Sequence, residues 1–458
     1  MPDHFLLLAD IIFPVQPYSA IPFLVLLGLI ACGPIFFEHF WHKYYRTIAV
    51  ALGLLVLSYY LFALHDTHLP AETLADYASF AILLSSLYIA AGGIYINVSA
   101  RATPIVNVFI LIIGAILANI IGTTGASLLL IRPYIRLNIN QIRTFHIIFF
   151  IFIVSNAGGL LTPLGDPPLF IGFLKGVPFF WTLQHLLLPW LLGVLGLSAI
   201  FFYLDTRARR LDYKPKEEVA KKIDEVTEFF FTGKRNLVWL AIIIGAIFLD
   251  PNVIPGLQHI PFHEFKFSYI REIIQLSAAF FCYRFASKTA LNGNHFTFAP
   301  ILEVVFLFFG IFFTMMPALQ LAAFVAALPQ FAKLLTPDTV YWSAGTLSGF
   351  LDNAPTYANF LSLSMAKYNL SYSSATQVHD FAYGLAHAPE TYHLLEAIAV
   401  GSVLFGAFSY IGNGPNFMVK AIAEESGIKM PSFFKYITSF SLPFLLPILF
   451  LIWLFVIT

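Results

Sequence analysis

Charge is the scarcest property of this sequence. Only 11% of its 458 residues are Asp, Glu, Lys or Arg, under half of the ~25% usual in soluble proteins. The 25 basic and 25 acidic residues balance, which removes any electrostatic case for nucleic-acid binding. Cysteine is almost missing. Cys32 and Cys282, both in apolar stretches, exclude a disulfide framework and a cysteine metal cluster. Residues 1–20 carry Asp3 near their start and lack a basic n-region, so no cleavable signal is expected. What remains is apolar: 59% of the chain is hydrophobic and 50 positions are Phe. A soluble fold of this size could not hide so much apolar surface. An all-α polytopic membrane protein is predicted.

Hydropathy divides the chain into spans near the ~20 residues that a bilayer needs. The first half gives 21–40, 47–64, 78–97, a block 104–131, an interrupted block 144–173, and 184–204. The second half gives 236–250, 269–286, 296–319, a block 340–366, an interrupted block 394–420, and 432–457. Between them, 16 of the 31 residues in 205–235 are charged. The expected organisation is a first transmembrane repeat over 1–204, a charged cytoplasmic linker over 205–235, and a second repeat over 236–458.

Blocks 104–131 and 340–366 carry polar clusters in their middles: Gly122-Thr-Thr-Gly-Ala-Ser127 and Asp352-Asn-Ala-Pro-Thr356. A straight span would leave these groups in lipid at a cost. Two re-entrant helical hairpins, with the clusters at their tips, avoid it. Each half then makes five crossings, and the halves are oppositely oriented. With both termini outside, 20 basic residues face the cytoplasm and five face out, as the positive-inside rule requires. A multi-pass protein of a cell inner membrane is expected. Trp41, Trp181 and Trp239, near span ends, are expected as interfacial anchors, as are His146 and His185.

The interrupted blocks repeat one another. Thr162-Pro-Leu-Gly-Asp-Pro-Pro-Leu-Phe170 aligns with Ser409-Tyr-Ile-Gly-Asn-Gly-Pro-Asn-Phe417. Matched broken segments in oppositely oriented halves are the inverted-repeat pattern of secondary transporters, with the breaks at a midplane site. Asp166 is the sole acid between Asp76 and Asp205. Gly165 frees the backbone before it, and Pro167 and Pro168 remove two amide donors after it. A carboxylate beside unwound backbone holds either a proton or a metal cation and not both, which is the minimum for ion/proton exchange. Asp352 is expected as a second ionisable ligand, with Asp166 and Asp352 together holding transported Na⁺. Asn353, Thr356, Asn156, Thr162, Ser409, Asn413 and Asn416 are the candidate neutral ligands. The first tip offers Thr123, Thr124 and Ser127. Glu303 is a candidate third titrating group, or a partner of Arg284 or Lys288.

No Lys or Arg lies in 104–131, 144–174, 340–366 or 394–419. A carboxylate cargo would therefore depend on helix N-termini and tip hydroxyls. An intramembrane aspartyl protease is disfavoured, because its motifs would stand in the wrong order. No enzymatic activity and no resident cofactor are expected.

The motifs Ser155-Asn-Ala-Gly-Gly…Pro-Leu-Gly-Asp166, Leu351-Asp-Asn-Ala-Pro-Thr356 and Tyr410-Ile-Gly-Asn-Gly-Pro-Asn416 resemble the ion transporter superfamily. Its NhaD-type sodium/proton antiporters and the related citrate transporters look nearest. The resemblance implies inverted repeats, a mobile part containing both hairpins, and a homodimer. It implies ion-binding roles for Asn156, Asp166, Asp352 and Asn353. This sequence reads Gly122-Thr123-Thr124 at the first tip, where those antiporters carry an Asp-Asn pair. It reads Pro167-Pro168 where they carry hydroxyls. The expected function is sodium/proton antiport by alternating access. The alternative is Na⁺- or H⁺-coupled transport of citrate or another organic anion. The sequence expectation is that Asp166→Asn and Asp352→Asn each abolish coupled transport.

Overall fold

The computed structural model describes residues 15–99, 102–211, 228–249, 251, 254, 256–262, 265–385 and 390–458. Residues 212–227, the middle of the expected linker, lie outside these. The described chain is nearly all helix. Eight of its helices are long and apolar enough to cross a membrane.

The first half runs α1 (Ile21–Phe36), α2 (Glu38–Ser58, continued by a π turn to Ala63) and α3 (His68–Gly92). Then come β1 (Tyr95–Ser99) and α4 (Pro104–Leu137). Helix α5 (Thr144–Ile153) is followed by a 3₁₀ turn at Ala157–Leu161, by α6 (Pro167–Lys175) and by α7 (Trp181–Leu211). The second half opens with β2 (Glu228–Thr232), α8 (Lys234–Ile247), α9 (Tyr269–Arg284) and α10 (Ala299–Ala327). It continues with α11 (Pro337–Ser348), α12 (Asn353–Ala366), α13 (Glu390–Leu404), a 3₁₀ turn at Phe405–Phe408 and α14 (Gly414–Glu425). It closes with the mixed α/π helix α15, Phe433–Ile457.

The expected all-helical chain also contains two small sheets. Strand β1 pairs antiparallel with β2, Tyr95 opposite Thr232 and Ser99 opposite Glu228. The far end of the linker is thereby tied to the exit of α3. A second pair joins Ile260–Phe262 to Phe265–Phe267.

Helix α4 is two arms. Gly122, at φ 78 and ψ 155, breaks it, in a region that a side chain disfavours. A straight helix would hold Asn107 and Asn138 ~46 Å apart. Instead their side-chain amides bond each other reciprocally at 2.9 and 2.8 Å, so the arms lie side by side. The pair of α11 and α12 does the same around Gly349–Asp352. Lys367 Nζ donates to the Leu335 carbonyl at 2.8 Å, joining the bases of the two helices. The caps are readable locally. Thr103 accepts from Val106 N–H, Thr336 and Thr339 form a capping box, and Asp352 Oδ1 accepts from Ala354 N–H at 3.1 Å. Each satisfies an amide that the first helical turn leaves open.

From Ile147 to Ile153 helix α5 is apolar all round and wholly buried. That is the signature of a helix enclosed by protein. Large apolar side chains such as Leu24, Phe62, Leu188, Phe280 and Phe455 stay exposed, on helices of the outer ring. Two expected anchors move inward. Trp41 and Trp181 are 3% and 0% exposed, and the Trp181 indole donates to the Ala382 carbonyl at 2.7 Å. His146 is equally buried, with Nε2 3.4 Å from Asp205 Oδ1. Span-end position alone did not fix the side on which these rings lie.

Candidate functional site

The two interrupted blocks fold alike. After the first 3₁₀ turn, Thr162 is extended (φ −138, ψ 154). After the second, Ser409 is extended too (φ −138, ψ 173). Asp166 caps α6 at φ −144 and ψ 144. Asn413 caps α14 at φ −151 and ψ 139. Both breaks need glycine because backbone crosses backbone. A Cβ on Gly165 would meet the Gly159 carbonyl oxygen at 2.1 Å, and one on Gly412 would meet the Gly406 oxygen at 2.6 Å.

Each hairpin tip rests on one of these breaks. Thr123 N–H donates to the Gly165 carbonyl at 2.8 Å. Gly412 packs against the Ser348 and Gly349 carbonyls at the second tip. As a result four helix N-termini converge: those of α6, α12, α14 and the second arm of α4. Their partial positive charges face one small volume.

Asp166 occupies that volume and is 1% exposed. Its Oδ1 accepts from the Thr123 hydroxyl at 2.9 Å and from Asn413 Nδ2 at 3.0 Å. Its Oδ2 accepts from Asn353 Nδ2 at 2.5 Å. All three donors are uncharged. Burying an ionised carboxylate costs several kcal/mol, and hydrogen bonds to a charged group return about 1.5–3 kcal/mol each. The donors and helix ends therefore offset part of that cost without a base. Asn353 Oδ1 is buried and accepts no hydrogen bond. A spare oxygen beside a carboxylate is what a small hard cation takes as ligand.

A second layer of amides orients the first. Asn156 donates to Asn416 Oδ1 at 2.7 Å and to the Ile151 carbonyl at 2.9 Å. Asn413 also reaches Asn156 Oδ1 at 3.1 Å. Asn416 donates to the Gly406 and Ser409 carbonyls. Ser127 bonds Ser155 at 2.8 Å. Thr124 lines a cavity of 40 Å³ together with Thr123, Gly165 and Tyr88.

Other expected ligands are engaged elsewhere. Thr162 donates to the Asn119 carbonyl at 2.6 Å, and Ser409 Oγ accepts from Ile411 N–H. Thr356 donates to the Asp352 carbonyl one turn back. Asp352 caps α12, and among the described residues it makes no hydrogen bond to Asp166, although its charge acts on that carboxylate. Glu303 is half-buried on α10. Sequence reasoning passed over Asn119, whose Oδ1 accepts from Leu161 N–H at 2.9 Å and ties the first arm to the break. The available signal was an amide one turn before Gly122 in an otherwise apolar run.

No curated protein sequence matches the chain. Residues 14–457 match a family described as "Putative citrate transport". With apolar helices throughout and a buried polar cluster where its broken segments meet, the chain is an integral membrane protein that belongs to this family of transporters.

Proposed function

We propose that this protein is a secondary transporter that carries citrate or a similar small carboxylate, coupled to Na⁺ or H⁺, by alternating access. Asp166 binds the coupling cation, with Asn353 and Asn413 as neighbours. The cargo carboxylates meet the helix N-termini and the Thr123 and Thr124 hydroxyls at the first tip. One observation carries the reading: donors from both hairpin tips and from the second break converge on Asp166. A cation there is touched by every segment that an inverted-repeat transporter moves. In this reading 1–204 and 236–458 are inverted repeats, the two hairpins are re-entrant, and both termini lie outside. The family description favours the carboxylate cargo.

Sodium/proton antiport is the second reading. It is favoured because every donor to the Asp166 carboxylate is neutral, so the cluster attracts a cation on its own. Purified protein in liposomes with a trapped pH dye and labelled citrate separates the two. Citrate uptake that requires Na⁺ or a proton gradient supports the first reading. A Na⁺-driven pH change without any carboxylate replaces it with the second.

A further inference from the structure

A base stands nearer to the cargo path than the sequence boundaries allowed. The first hairpin ends at Leu137 rather than at residue 131, which brings Arg132 onto its second arm. Arg132 lines a cavity of 360 Å³ with Tyr88, His295, Pro300, Ile422 and Glu425. The 40 Å³ cavity at the hairpin tip also touches Tyr88 and Pro300, and it reaches Thr123 and Thr124. The two cavities share that pair of lining residues. Arg132 stands ~13 Å along the arm from Thr123.

The state of this guanidinium matters. Among the described residues its one ion pair is a single 3.2 Å contact between Nη2 and Glu425 Oε2, with side chains 21% and 64% exposed. An exposed contact of this kind holds weakly. Five N–H donors in a rigid fork match a carboxylate in two-point fashion. The base lining the other large cavity is the opposite case. Lys175 Nζ lies 2.5 Å from Asp76 Oδ2 and 2.9 Å from Glu72 Oε1, in side chains no more than 13% exposed. Two buried carboxylates already claim that ammonium, so the cavity of 230 Å³ that it lines together with Asp76 offers a carboxylate no spare positive charge.

We infer that Arg132 is a cargo-reading residue: its guanidinium captures a carboxylate of the organic anion in the 360 Å³ cavity before the cargo reaches the tip. This rests on the carboxylate reading above. The test is citrate counterflow in proteoliposomes, assayed from each face. Arg132→Gln raises the citrate KM about tenfold on one face, the loss of one charge-assisted contact. The maximal rate and the Na⁺ dependence stay as in the wild type. Arg132→Lys, which keeps the charge but loses the fork, recovers part of the affinity. Glu425→Gln frees the guanidinium and lowers KM. An unchanged KM in Arg132→Gln, or a rise in Glu425→Gln equal to that in Arg132→Gln, overturns the proposal. The second result would make the ion pair the cause rather than the cargo contact. If the wild type moves neither citrate nor another carboxylate, the cargo reading itself fails, and that is seen before any variant is compared.

Discussion

Asp166 and Asn413 cap their helices with nearly the same backbone angles, φ −144, ψ 144 against φ −151, ψ 139. Each follows a glycine that backbone contact forbids from carrying a side chain. Each begins a short helix with proline in its first turn. One atom type separates them: a carboxylate oxygen in the first, an amide nitrogen in the second. The amide bonds the carboxylate at 3.0 Å across 247 residues of chain. The difference teaches why two breaks of matching backbone shape hold a single charge. Two carboxylates at that distance could not both ionise, whereas Asp with Asn gives one anion and one built-in donor.

The largest effect expected from breaking this comparison is that of Asp166→Asn. It makes the two halves alike and removes the charge that a cation needs. Coupled flux should fall to the liposome background while the purified protein keeps its elution volume. Full flux in a well-folded variant would take Asp166 out of the site.

The glycines come next. Gly165→Ala forces a Cβ against the Gly159 carbonyl at 2.1 Å, and Gly412→Ala meets its counterpart at 2.6 Å. Overpacking of this sort costs about 1–3 kcal/mol. Thermal unfolding in detergent should show both variants destabilised, Gly165→Ala more. A reversed order would mean that the second break is the tighter one.

Asn413→Ala sharpens the comparison by deleting the amide alone. Losing one hydrogen bond to a charged group, about 1.5–3 kcal/mol, weakens apparent cation affinity roughly tenfold or more. The maximal rate should change less. An unaltered affinity in a Na⁺ titration of flux removes Asn413 from the site.

Asp352→Asn should have the smallest effect. The structure gives Asp352 a capping bond to Ala354 N–H, and Asn caps about as well as Asp. Flux near the wild-type level is expected. Loss of flux as complete as in Asp166→Asn would restore Asp352 as a second ionisable ligand.

Much of this was legible in the residues. Gly122 and the Asp352-Asn-Ala-Pro-Thr356 run marked two reversals, because polar and helix-breaking residues inside apolar blocks have few places to go. The alignment of 162–170 with 409–417 matched the two breaks before any backbone angle was known. The roles within the cluster were less legible. Thr162, Ser409 and Thr356 are oxygen-bearing residues in the right segments, yet their hydroxyls meet local backbone groups. A hydroxyl's partner depends on rotation about one bond, and sequence spacing does not carry that. Lys175, just past the interrupted block 144–173, proved buried between two acids one turn apart on α3. Arg132 stood one residue past a boundary drawn from hydropathy alone.

The sequence by itself determined the class of protein and the places where its helices break. Apolar excess, scarce charge, and glycine and proline at fixed positions act through solvation and backbone sterics, which are local. Only the tertiary structure decided that Thr123, Asn353 and Asn413 share one carboxylate, that Asp352 serves as a cap, and that Arg132 faces a cavity. Those outcomes join segments up to 247 residues apart, and they are set by how the two hairpins and two breaks pack together, which no short stretch of chain encodes.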